Sequence, residues 1–168
     1  RIPGYRVLRW EADDAVFRDP RAYPALSVAT TGTHDTSTLA TWWTEELDDA
    51  GRRALAAVPT FAALAEADAA FTPPVHAALL DGLYAAGSAL VVLPLPDAYG
   101  GRERINVPAT VGPENWSYRM PWMVEDLGRG PATALAARLR DLAVRHRRVP
   151  GVSAGARRRA RARAARRT

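Results

Sequence analysis

Ser27-Val28-Ala29-Thr30-Thr31-Gly32-Thr33-His34-Asp35-Thr36 decides how this chain is read. A β-branched run, Ala25 to Thr31, reads as a strand, and Gly32 turns the chain at its end. An imidazole and a carboxylate, His34 and Asp35, then fall just beyond the strand's carboxyl end, where α/β folds bind their ligands. The same residues also fit a plain helix start, since Asp35 is followed by Thr36-Ser37-Thr38 and an amphipathic run.

Working outward, Gly4 to Glu11 reads as a short strand centred on Val7 and Leu8, and Ala12 to Pro24 as a loop rich in charge and proline. Thr36 is placed to cap a helix whose apolar positions are Leu39, Trp42, Trp43 and Leu47, so both tryptophans are expected in the core. A helical piece follows at Arg52 to Val58. Thr72 then caps a helix with Pro73 in its first turn, lined by Val75, Leu79, Leu80 and Leu83 and stopped at Gly87. His76 on that helix is expected as a surface or packing residue, not a ligand.

Ala89 to Leu93 is a continuous apolar run, the pattern of a strand covered on both faces. Pro94 to Pro121 reads as a long irregular stretch whose Trp116, Tyr118 and Trp122 argue against disorder. A last helix is expected from about Pro131 to Arg147, with Leu135, Leu139 and Leu142 on one side. Strand and helix thus alternate three times, the order of three βα units in an α/β fold.

Composition narrows the chemistry. With no cysteine there are no disulfides, thiolate nucleophiles or Cys-ligated zinc, and the three histidines are not spaced as a metal pair, so no metal or cofactor is expected. No run of 18 apolar residues is present, and no membrane span is expected. The formal charge of +5 is misleading, because residues 145–168 hold ten Arg and no acid. Residues 1–144 carry 13 Arg against 18 Asp plus Glu, 13 − 18 = −5. An acidic body suits a neutral sugar polymer better than nucleic acid. The Arg/Ala tail, 149–168, reads as a solvated, disordered extension and is the sole motive for a nucleic-acid-binding alternative.

Five strings carry a family resemblance: G-Y-R-V-L-R-W-E at 4–11, S-V-A-T-T-G-T-H-D-T at 27–36, A-L-V-V-L-P-L-P-D at 89–97, R-I-N-V-P-A-T-V at 104–111 and N-W-S-Y-R-M-P at 115–121. In that order and spacing the chain resembles the C-terminal part of the amylomaltases, 4-alpha-glucanotransferases of the α-amylase clan, over residues 2–148. Two departures are visible: Pro96 stands for the family's usual Gln, and Ala109 for its usual Gly.

The resemblance implies that 1–148 is the C-terminal portion of a (β/α)8 TIM-type barrel, about strands 6 to 8 with their helices. A complete barrel needs about 250 residues, and the first residue, Arg1, fits a partial chain, so the missing N-terminal part of the same enzyme is an expected partner. The implied substrates are α-1,4-glucans and maltooligosaccharides, transferred with retention in the cytoplasm. Asp35 maps onto the clan's third catalytic carboxylate, which holds the 2- and 3-hydroxyls of the sugar at the cleavage point. His34 maps onto a substrate-binding histidine. Asn106 is a candidate sugar contact whose competing role is to form a turn, and Asn115, Trp116 and Arg119 are expected to help close the barrel, an exposed Trp being the alternative as a surface for stacking on a pyranose face. A hydrolase of the same clan and a non-catalytic sugar-binding module are the remaining alternatives.

Overall fold

A three-stranded parallel sheet organises the chain. The computed structural model describes residues 3–14 and 16–149, and the expected Arg/Ala tail therefore lies, from 150 on, outside the described residues. β1 (Gly4–Val7) runs into a 3-10 turn at Leu8–Trp10, and a small antiparallel hairpin follows, β2 (Ala12–Asp13) with β3 (Val16–Phe17). β4 (Ser27–Thr30) lies at the centre of the sheet, with β1 on one side and β5 (Leu90–Val91) on the other.

The helices pack on one face. α1 (Leu39–Thr41) continues as a wider π-type turn, Trp42–Glu46, and α2 (Asp49–Ala56) and α3 (Pro73–Tyr84) follow. α4 (Leu95–Tyr99) comes directly after β5, and α5 (Gly130–Arg145) closes the described chain. The core beneath them holds Trp42, Trp43, Phe61, Leu55, Leu79, Leu80 and Leu83, so both tryptophans are core residues as expected.

The register separates two faces. Arg6, Ala29 and Val91 form one row, and within it Ala29 is fully buried under the helices while Val91 packs partly against the core. Tyr5, Val28 and Leu90 form the neighbouring row on the opposite face. There Tyr5 is 61% and Leu90 59% exposed, so among the described residues this row is open.

Several expectations need correction. The first strand ends at Val7 because Leu8 turns inward, 1% exposed, and Arg6 reaches back to Glu11 at 3.1 Å. The segment expected as a plain loop contains the β2–β3 hairpin. The apolar run at 89–93 is not covered on both faces: Leu90 and Val92 are exposed, since among the described residues no element lies over them. Thr38, not Thr36, caps α1, its hydroxyl accepting from the Thr41 N–H. The expected helix at 52–58 begins earlier, at Asp49, because the Asp48 side chain caps it through the Gly51 N–H.

The helix α3 ends before Gly87, and a Cβ at 87 would meet the carbonyl oxygens of Tyr23 and Arg21 at 2.5 and 2.7 Å. Close approach, not a left-handed stop, explains that glycine. His76 is a packing residue: its Nε2 lies 2.7 Å from the Asp97 carbonyl oxygen, and its ring is 5.2 Å from that of Phe71. Burial, with the nearby Arg138 guanidinium, holds its pKa below the ordinary histidine value. At the end of the fold Arg148 donates to the carbonyls of Tyr84 (2.6 Å), Ser88 (2.9 Å) and Ala86, satisfying acceptors released at the end of α3.

Gly82 lies inside α3 with its Cα against the fully buried ring of Phe61, and a Cβ there would overlap that ring. Helix propensity alone favours alanine at such a position by about 1 kcal/mol. Overpacking a core that cannot give costs about 1–3 kcal/mol, and the steric cost wins. Gly82→Ala is expected to lower stability in chemical denaturation, and a stabilised variant would show that Phe61 has room to move.

Candidate active site

The loop from Thr31 to Thr38 is built by its own hydroxyls. Thr30 Oγ1 donates to the Gly32 carbonyl at 2.8 Å. Thr36 Oγ1 accepts from the Thr33 N–H and donates to the Thr33 carbonyl, both at 3.0 Å, and Thr33 Oγ1 accepts from the Asp35 N–H at 3.2 Å. A Cβ on residue 32 would collide with the Thr36 hydroxyl, so glycine is required for this close approach. The β-branched threonines that extend β4 therefore also fold the turn that follows it.

The turn is clamped at both ends by one acid. Asp97, at the start of α4 and 2% exposed, accepts from the Thr31 hydroxyl at 2.5 Å and from the Leu39 N–H at 2.7 Å. The first contact fixes where the loop leaves β4; the second fixes where it enters α1. Arg9 adds a brace from the end of β1, donating to Ser37 Oγ at 2.8 Å and to the Ser37 carbonyl at 3.0 Å while stacking over Trp42.

On this support His34 and Asp35 project beyond the carboxyl end of β4, with side chains 52% and 44% exposed. Their facing atoms, His34 Nε2 and Asp35 Oδ2, are 3.3 Å apart. The other carboxylate oxygen, Asp35 Oδ1, accepts from Asn106 Nδ2 at 2.6 Å. Asn106 also donates its backbone N–H to the His34 carbonyl at 3.1 Å, so the structure joins the three candidate residues in one cluster. Its side chain thus reaches the carboxylate, which a turn-forming asparagine need not do.

Two further residues belong to this neighbourhood, and of them Arg104 was not singled out from the sequence. Arg104 donates to the Asp35 carbonyl at 2.6 Å and to the Asn106 carbonyl at 2.8 Å, tying the two loops together. Trp116, expected to help close the barrel, is 62% exposed with its ring 5.0 Å from that of His34. Ala109, where the family's usual glycine is replaced, holds φ +59°, a left-handed conformation that glycine adopts without strain. Pro96 falls in the first turn of α4, where a missing N–H costs nothing. Among the described residues no three His, Asp or Glu side chains converge as a metal-binding group, and no helix is long and apolar enough to cross a membrane.

The chemistry available is that of a half-exposed carboxylate, oriented by an amide and flanked by an imidazole and an indole. Such a group can accept hydrogen bonds from hydroxyls and face developing positive charge.

Burial raises the Asp97 carboxyl above its ordinary range, against the downward pull of the Thr31 hydroxyl and the Leu39 N–H. Relative to the unfolded chain, the folded state therefore binds this proton more tightly. That contribution is complete below the unfolded pKa of about 3.9 and is lost as pH rises through the higher folded value. Asp97→Asn keeps an acceptor for Leu39 and does not titrate. The stability of wild type relative to this variant is expected to fall between about pH 4 and about pH 7. Urea unfolding at both values measures it, and a difference that grows with pH would contradict it.

Comparison with known proteins identifies the family and the fold. A family model described as 4-alpha-glucanotransferase matches residues 1–125. The 4-alpha-glucanotransferase of Streptococcus pneumoniae serotype 4 is 32% identical over 123 residues, covering 71% of this chain and 23% of that protein. The enzyme of that name from Chlamydia caviae is 33% identical over 138 residues, covering 75% and 25%. In fold, the chain is similar to an amylomaltase from Streptococcus agalactiae in complex with acarbose, with a TM-score of 0.66 at 23% identity over 87% of this chain and 27% of that one. It is also similar to the amylomaltase of Corynebacterium glutamicum, with a TM-score of 0.62 at 21% identity over 84% of this chain and 25% of that one. The chain spans about a quarter of the length of the curated relatives it matches. Matched over most of its length, and with its fold shared, the chain belongs to the 4-alpha-glucanotransferase family.

Proposed function

We propose that this segment supplies one catalytic carboxylate and its sugar-binding neighbours to a 4-alpha-glucanotransferase, an enzyme that cleaves an α-1,4 bond and moves the freed glucan segment to a sugar 4-hydroxyl with retention. The observation that carries the reading is the position of Asp35: beyond the carboxyl end of the central strand, half-exposed, and oriented by Asn106 at 2.6 Å. In this reading the segment forms about the sixth to eighth βα units of a (β/α)8 barrel, whose chemistry is done at the carboxyl ends of the strands. Support comes from the parallel order β1-β4-β5 and from the open Tyr5-Val28-Leu90 face, which a closed barrel would turn inward. A cytoplasmic location is proposed with it, on the family resemblance.

Retention requires two displacements through a covalent glycosyl intermediate, with a nucleophilic carboxylate and a second carboxyl as acid and then base. Both of those groups are assigned to the part of the enzyme outside this segment. Asp35 accepts hydrogen bonds from the 2- and 3-hydroxyls of the reacting sugar, bonds that tighten as the ring flattens toward the oxocarbenium-like state. His34 donates to a hydroxyl of the same sugar. Asn106 holds Asp35 Oδ1, so it acts on the sugar through the carboxylate.

The intermediate can also be released by water. Supplied with maltotriose, the full-length enzyme is expected to give a ladder of longer oligosaccharides; glucose accumulating without longer chains would assign a hydrolase.

A further inference from the structure

Two tryptophans are largely exposed, Trp10 at 61% and Trp116 at 62%, whereas Trp42 and Trp43 are buried. Of the exposed two, Trp116 stands beside the site. It lies 5.0 Å from the His34 ring at an interplanar angle of 38°, so the indole borders the Asp35 cluster directly.

Its backbone is costly to hold. Trp116 has φ +61°, a left-handed conformation disfavoured for a bulky residue. The surrounding loop imposes it: the Trp116 N–H donates to the Ile105 carbonyl at 2.8 Å. Beside it, Asn115 Oδ1 accepts from the Val107 N–H, and Asn115 Nδ2 donates to Thr110 Oγ1, each at 2.9 Å. Strain of this kind persists where the surroundings over-determine it, and it concentrates at ligand clamps. Glycine would take this conformation freely, so the indole is held here at a cost.

We propose that Trp116 is a sugar-stacking platform that holds the pyranose ring adjoining the one gripped by Asp35. The inference rests on the glucan reading above and adds a neighbouring subsite to it. A pyranose offers an apolar C–H face beside its hydroxyls, and an indole offers a flat apolar surface to receive it. His34 and Asp35, at the edge of that surface, supply polar partners for the hydroxyls. An uncharged ring next to a carboxylate also suits a neutral ligand and not an anion.

The test uses a full-length enzyme carrying this segment, with maltotriose as donor. Trp116→Gly removes the indole yet relieves the left-handed strain, so the loop is retained; Trp116→Phe keeps a smaller ring. Trp116→Gly is expected to raise KM about tenfold, the effect of one lost stacking contact, with kcat changed less than about threefold. Its melting temperature should be equal to or above that of the parent, and Trp116→Phe should recover most of the lost KM. An unchanged KM in Trp116→Gly overturns the platform, as does a raised KM accompanied by a lowered melting temperature. Asp35→Asn in the same assay separates the two readings. If it loses turnover while Trp116→Gly keeps its KM, the platform alone fails, and if it keeps turnover the glucan reading fails.

Discussion

Asp35→Asn in the full-length enzyme is expected to lower kcat by about 10²- to 10⁴-fold while glucan binding changes little. Hydrogen bonds to ring hydroxyls that strengthen in the transition state are worth several kcal/mol, and each 1.36 kcal/mol is tenfold in rate. Binding survives because the contribution is realised mainly as the sugar becomes cationic. The substitution is a clean one. An asparagine oxygen still accepts from Asn106 Nδ2, so the contact seen at 2.6 Å is kept while the charge is removed. Steady-state transfer from maltotriose, alongside calorimetric binding of the same sugar, measures both quantities. Near-normal turnover would take Asp35 out of the reaction.

The second large effect concerns the chain alone, which is expected to show no sustained disproportionation of maltotriose. A retaining reaction needs two carboxyl groups about 5–5.5 Å apart in addition to any carboxylate that grips the sugar. In the proposed reading both come from elsewhere in the enzyme. Among the described residues β1 and β5 are also each bonded on one flank, and Tyr5 and Leu90 are largely exposed. Open edges and apolar faces invite pairing with other chains. Concentration-dependent association in light scattering is expected alongside the missing activity, and a growing ladder of oligosaccharides from the purified chain would contradict this account.

The alternation of strands and helices was legible because apolar spacing of period 3.6, as at Val75, Leu79 and Leu83, survives without knowledge of tertiary contacts. So was the pair His34 and Asp35, placed by the short run that precedes it. The β2–β3 hairpin was not, because two-residue strands have no period to read. Choosing Thr36 over Thr38 as the cap was a matter of three adjacent capping residues, and Asp97 settles the choice by taking the Leu39 N–H.

Asp97 itself was hidden. In P-L-P-D it reads as part of a turn, and its role depends on partners 58 and 66 positions away in the chain. The bond from Asn106 to Asp35 spans 71 positions, which is why a turn and a sugar contact could not be told apart beforehand. Leu90 and Val92 misled for the opposite reason: their apolar character suggests cover on both faces, yet among the described residues nothing lies over them.

Because β4 sits between β1 and β5, the strand leading to Asp35 has neighbours on both flanks within one segment. Asp97, Arg104 and Asn106, which set its loop, all follow β5. Exchange between homologous enzymes should therefore move residues 3–149 as an undivided cassette. A crossover placed between β4 and β5 would combine one parent's carboxylate with the other parent's supports.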